Sequence, residues 1–221
     1  MEIAALVLLF LGFVGGQITA LTVSPGVRIT LLDLAVVILL LYAAFRSRKN
    51  RFIPRLWAPI LAFAVVSFIS RGDPLYIIRW LLYSALYWVS ADAIVPPRSW
   101  RTVLVTSGIG IAVLGFVQYA LYPNLRNLYY LGWDPHYQRL FSTLLDPNFT
   151  GIILGLTSLL LLTRRNLFWL GVTFIALVLT YSRSSYVAFL VGLIVWGVQS
   201  RRKALVACVV SVLILMTAVL P

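Results

Sequence analysis

Arg139 to Gly151 reads RLFSTLLDPNFTG, and it lies where the longest polar stretch of the chain re-enters an apolar run. Asp146 followed by Pro147 is a helix-start signal. The carboxylate is placed to accept from free backbone N–H groups, and proline in the first turn lacks only a donor that would have no helical partner anyway. A shorter counterpart, YSRSSY at Tyr181 to Tyr186, sets Arg183 among serines before the next apolar run. Both stretches predict the N-terminal end of a helix with an arginine at or just ahead of it. Such ends carry partial positive charge and unpaired N–H donors, and a planar guanidinium matches phosphate oxygens. Arg139 and Arg183 are therefore the expected core of an anion site, with Ser182, Ser184 and Asn148 nearby. The expectation requires that the two helix starts meet.

Composition sets the solvent in which those helices are read. Of 221 residues, 62% are hydrophobic and 11% charged, with a mean hydropathy of +0.98. A water-soluble domain needs more charge on its surface than this. The expected class is all-α: a polytopic transmembrane helix bundle. The first twenty residues have the apolar core of a signal peptide, yet Glu2 is the only charge ahead of it and Ile18 fits poorly before Ala20, so they read as a retained span. The single cysteine, Cys208, permits no intrachain disulfide.

Nine apolar runs are long enough to cross roughly 30 Å of hydrocarbon, some with tilt or thinning: 3 to 22, 28 to 45, 56 to 70, 74 to 95, 102 to 122, 149 to 163, 166 to 181, 185 to 199 and 203 to 220. Twelve of the 18 basic residues fall in alternate connections: five between Arg46 and Arg55, then Arg98 and Arg101, Arg164 and Arg165, and Arg201 to Lys203. Short loops rich in Lys and Arg stay in the cytoplasm. This alternation predicts a cytoplasmic N-terminus and a C-terminus outside. The net charge of +12 is then topology signal with an affinity for anionic membrane lipids, and no nucleic acid is needed to explain it.

The segment from Tyr122 to Asn148 falls outside, and its aromatic residues predict a piece lying along the headgroup region. His136 reads as an interfacial polar residue rather than a catalytic base. Arg126 and Arg28 read as snorkelling cations. Asp33 and Arg79 lie at similar depth within their runs, where a charge needs a partner or a wet cavity. They are expected to pair, or else Arg79 joins the anion site. Arg71 to Asp73 reads as a tight turn, and the Asn148 acceptor triplet is sterically closed by its helix. Gly12 with Gly16, and Gly108 with Ala112, predict close helix packing. No metal site or cofactor is expected.

Arg139, Ser142 and Asp146-Pro147-Asn148, followed two runs later by Ser182-Arg183-Ser184, resemble the superfamily of O-antigen ligases and polymerases over about residues 100 to 220. The resemblance implies a bacterial inner-membrane glycosyltransferase. It would take a glycan from an undecaprenyl-diphosphate-linked donor at the outer face and pass it to a lipid A core or glycan acceptor. It also implies that Arg139 and Arg183 hold the carrier diphosphate without a metal ion. Family members continue into a large outer loop with a histidine proposed as general base and then further spans. The chain is accordingly expected to correspond to the N-terminal part of a longer enzyme or to a shortened relative, and His136 does not match that histidine. The competing readings are a transporter or flippase of lipid-linked anions, which should show broken or repeated halves, and a noncatalytic membrane scaffold.

Overall fold

Apolar runs with few interior breakers favour helix, because every backbone N–H and C=O then bonds within its own segment. The computed structural model describes residues 2–24, 27–46, 54–69, 74–91 and 96–200. Among them are α1 (Glu2–Gly15), β1 (Leu21–Ser24), β2 (Val27–Ile29), α2 (Leu31–Arg46), α3 (Pro54–Ile69), α4 (Pro74–Ala91), α5 (Pro97–Leu121), α6 (Pro147–Arg164), α7 (Leu167–Leu179) and α8 (Arg183–Ser200), with short 3-10 turns between. Helices α3 to α6 each begin on proline, the position where its missing donor is harmless. The expected ninth run, with Arg201 to Lys203 and Cys208, lies outside the described residues. So do 47–53 of the basic loop and Arg71 to Asp73.

The fold is mostly helical, with one departure. The run expected at 3 to 22 ends as an α-helix at Gly15 and passes through a 3-10 turn, Gly16–Thr19, into β1. Gly16 has φ +50°, and the Thr19 hydroxyl donates to its carbonyl at 2.9 Å, so the helical ladder stops there. β1 and β2 then pair antiparallel, Leu21 with Ile29 and Thr22 with Arg28. Thr22, Val23, Val27 and Ile29 are β-branched and suit a ribbon better than a helix end. Hydrophobicity alone does not separate the two.

The chain divides into two units, Met1–Leu104 and Val105–Pro221. In the first, α1 packs on α2, and α4 packs on both α2 and α3. Its core holds Ala5, Leu9, Ala35, Val36, Leu39, Ala43 and Val89. The expected close approach occurs at Gly12, where a Cβ would sit 2.7 Å from the Leu32 Cα. Asp33 and Arg79 form the expected ion pair, Oδ2 to Nη2 at 2.9 Å. The same carboxylate accepts from Thr30 N–H at 2.8 Å, the Thr30 hydroxyl at 2.9 Å and Tyr83 OH at 2.7 Å. Arg79 also donates to the Arg28 carbonyl, which ties α4 to the ribbon.

In the second unit, α6 packs on α7 and α8 around Ile111, Leu140, Leu154, Ala176, Leu177, Phe189 and Leu193. Gly108 faces the Thr157 side chain with no room for a Cβ. Hydroxyl residues are buried inside this unit: Thr150, Ser158, Thr173, Thr180, Ser182 and Ser185 are all 0% exposed. Apolar side chains instead face outward, among them Phe149, Ile152 and Leu156 of α6 and Val187, Val191 and Val198 of α8. By length and composition, α5 is the one helix among the described residues long and apolar enough to cross a membrane.

Candidate anion site

The site is built by the segment between α5 and α6, which folds onto itself before it enters the second core. Leu125 N–H donates to the His136 carbonyl and Gln138 N–H to the Pro123 carbonyl, both at 2.8 Å. Between these strands of chain runs a 3-10 turn, Leu125–Leu131, capped by Asn124 and ended at Gly132 with φ +85°. Tyr129 and Tyr130 on this turn are 68% and 79% exposed, and Arg126 stacks on the Tyr137 ring at 5.2 Å. That half leaves its aromatic rings exposed.

The second half departs from the interfacial expectation: Leu140 and Phe141 are fully buried. Leu140 N–H donates to the Leu179 carbonyl at the end of α7 at 2.8 Å. Gln118 Oε1 on α5 accepts from Phe141 N–H at 2.9 Å and Ser142 N–H at 3.0 Å. Ser142 Oγ donates to the Ile111 carbonyl and Thr150 Oγ1 to the Phe141 carbonyl, each at 2.8 Å. A non-helical backbone is buried here because side chains of α5 and α6 supply the partners a ladder would otherwise provide.

This clamp fixes Arg139. Its Nε donates to the Thr180 carbonyl at 2.8 Å, its Nη2 to the Tyr181 carbonyl at 3.0 Å, and its Nη1 to His136 Nδ1 across 3.4 Å. Arginine has no acceptor, so His136 must accept, which puts the proton of the neutral ring on Nε2. The two carbonyls lie just past the C-terminal end of α7, where the helix dipole favours a cation. Neither carbonyl neutralises it. Burial lowers the Arg139 pKa from its ordinary value, with Tyr186 and Asp146 acting the other way, and a guanidinium stays charged through such a shift.

The start of α6 is as expected. Asp146 Oδ1 accepts from Asn148 N–H at 2.7 Å and Phe149 N–H at 3.2 Å, with Pro147 next in the chain. The cap has a consequence: these N–H groups already face a carboxylate and are not offered to an outside anion. At α8 the Ser182 hydroxyl accepts from Ser185 N–H at 3.4 Å, and the Ser182 carbonyl accepts from Tyr186 N–H at 3.1 Å. Among the described residues, Arg183 and Ser184 N–H are left without an intramolecular acceptor. Of the two helix ends expected to supply donors, α8 alone keeps them open.

The two starts are joined. Ser185 Oγ donates to the Asn148 carbonyl at 3.0 Å, and Gly151 makes the approach possible: a Cβ there would lie 2.5 Å from Ser185 Oγ. Beside this junction is a cavity of about 640 Å³ lined by Tyr137, Gln138, Arg139, Asn148, Tyr181, Arg183 and Ser184. Arg139, Arg183, Asn148 and Ser184 are thus brought together. Ser182 is nearby but buried, its hydroxyl committed to Ser184 and Ser185 at 3.2 and 2.8 Å. Arg79 belongs to the first unit and is committed to Asp33. Arg183 is exposed and makes no hydrogen bond or ion pair among the described residues.

Sequence reasoning missed Gln138 and Tyr181. Both have φ +50°, a left-handed conformation costly for side chains with a Cβ. In strands or helices their carbonyls would point elsewhere. Gln118 and His136 were also missed as partners, since a glutamine inside an apolar run and a lone histidine carry no motif. Placing the histidine three residues before Arg139 is the one available signal. No protein-family model matches this chain, and no curated protein or solved structure matches it either.

Proposed function

We propose that this chain is a polytopic helix bundle of the bacterial inner membrane, of about nine spans with a cytoplasmic N-terminus. In this reading the cavity at Arg139 and Arg183 binds the diphosphate of an undecaprenyl-diphosphate-linked glycan at the outer face. The activity is glycan transfer of the O-antigen ligase or polymerase type, to a lipid A core or glycan acceptor. The membrane reading is supported by the outward apolar faces of α6 and α8, since so much exposed hydrocarbon is a liability in water. The alternation of basic loops supports the orientation.

One observation carries the site: two guanidinium groups line a single cavity, and neither is paired with a carboxylate among the described residues. Such a charge pair has its best partner in a doubly charged anion. In the transfer, an acceptor hydroxyl oxygen bonds to the anomeric carbon and releases its proton to solvent as the carbon–oxygen bond to the diphosphate breaks. The bonding pair leaves with the diphosphate. Arg139, held in place beforehand, and Arg183 stabilise that developing charge, and preplaced cations are a large catalytic term where water is scarce. No residue of this chain is assigned as the base.

The test is binding of undecaprenyl diphosphate to the purified chain in lipid nanodiscs. Arg139→Ala and Arg183→Ala should each weaken it about tenfold or more, as expected for loss of charge-assisted bonds of about 1.5–3 kcal/mol. The same variants should lose glycan transfer in a strain lacking its own ligase, if the wild-type chain restores it. Full affinity in both variants would remove the diphosphate reading.

A further inference from the structure

Of the groups around the cavity, His136 is the one whose charge can change near neutral pH. It is placed to act on Arg139 from behind, because it does not line the cavity yet accepts from Arg139 Nη1 through Nδ1. Its backbone is not free to move away. The His136 carbonyl accepts from Leu125 N–H, and the chain from Arg139 to Ser142 is pinned by α5 and α7. The ring is therefore held beside a fixed guanidinium.

We propose that His136 is a positioning residue of the anion site: neutral, it holds Arg139 through Nδ1, and its protonation is coupled to binding, so that the pocket takes a diphosphate diester more tightly as pH falls. This rests on the diphosphate reading of the same site. A protonated ring carries hydrogen on both nitrogens and can no longer accept from Arg139. Arg139 Nη1 loses one acceptor, and two cations stand side by side. An anion in the cavity offsets the repulsion, since its negative charge attracts both cations. Binding then takes up a fraction of a proton from solution at the ring, and by linkage acidification favours binding.

The groups facing His136 are consistent with a ring that is neutral until an anion arrives. Arg139 opposes its protonation, while Asp134 on its own segment and Asp146 at the start of α6 favour it. Neither carboxylate forms an ion pair with the ring. Burial and the arginine outweigh them, and the ring's pKa lies below the ordinary value. A diphosphate diester is the class of ligand that reports this cleanly, because its two charges do not change between pH 5 and 8.

The experiment uses the chain in nanodiscs with undecaprenyl-diphosphate N-acetylglucosamine as the diester probe, its affinity measured from pH 7.5 to 5.5. Wild type should bind about two- to sixfold more tightly at the acid end, the direction that proton uptake on binding requires. His136→Asn, whose amide oxygen overlays Nδ1 as an acceptor without titrating, should give a flat profile. His136 is the only histidine in the chain, so its NMR titration reads the coupling in the unmutated protein: adding the probe should move the midpoint upward. Parallel profiles for wild type and His136→Asn, or an unmoved midpoint at saturating probe, overturn the proposal. If binding still depends on Arg139 and Arg183 in that case, the diphosphate reading stands. Absence of binding at every pH overturns both.

Discussion

Arg139 and Arg183 line one cavity but are held in opposite ways. Arg139 uses three nitrogens on three fixed acceptors, a fork that an ammonium cannot reproduce, whereas Arg183 is an exposed cation without a partner among the described residues. Arg139→Lys should therefore lose nearly as much diphosphate affinity as Arg139→Ala, about tenfold, while Arg183→Lys should stay within about threefold of wild type. Equal responses to the two lysine substitutions would contradict this division. His136 also bears on stability. Burial first, and Arg139 second, hold its pKa below the ordinary 6.5, so the unfolded chain binds more protons in the window from about pH 6.5 down to the folded value. Stability contributed by the neutral ring is present above that window and is lost as pH falls through it. Thermal unfolding in detergent from pH 7.5 to 5 should show this loss, and His136→Asn should lack that part of it.

At the scale of elements, the site depends on two helix starts that lock together. Asp146 caps α6, and Asp146→Ala should cost about 0.5–2 kcal/mol, read as a lower unfolding midpoint, with Asp146→Asn costing less because asparagine also caps. Gly151→Ala places a methyl 2.5 Å from Ser185 Oγ and 3.0 Å from Thr180 Oγ1. Overpacking of this kind costs about 1–3 kcal/mol. It should also weaken diphosphate binding, since the displaced serine is the link between α6 and α8. In the first unit, Asp33 holds α2, α4 and the ribbon together. Tyr83→Phe removes one of four hydrogen-bond donors to that carboxylate and should cost about 1 kcal/mol. Asp33→Ala leaves Arg79 with the Arg28 carbonyl but no carboxylate and should cost about 1–3 kcal/mol, the pair being part-exposed.

For the whole molecule, a cysteine at Trp133 should react with an impermeant thiol reagent in intact cells, and protection there would reverse the proposed orientation. Much of the helical order was legible beforehand from the apolar runs, and Pro147 marked the start of α6 for a reason that operates within a few residues. The Asp146 cap and the Asp33–Arg79 pair were legible too, because a charge inside an apolar run needs a partner and few were on offer. The β1–β2 ribbon was not. Its residues are apolar enough for a span, and only the left-handed backbone at Gly16 and the strand pairing divert them. The buried half of the segment before α6 was equally hidden, because its partners, Gln118 and the Leu179 carbonyl, are remote in sequence and carry no pattern.

By itself, then, the order of residues determined where helices begin and which side chains bear charge, because propensity, capping and hydropathy act over one or two turns of chain. Only the tertiary structure decided that Arg139 and Arg183 share a cavity, that of the two helix starts beside it α8 keeps the Arg183 and Ser184 N–H groups open, and that a histidine stands against the arginine. Those facts depend on Gly151 letting two helices touch, and on left-handed turns at Gln138 and Tyr181 that redirect the backbone. Contacts between segments some forty residues apart have no local signature from which to be read.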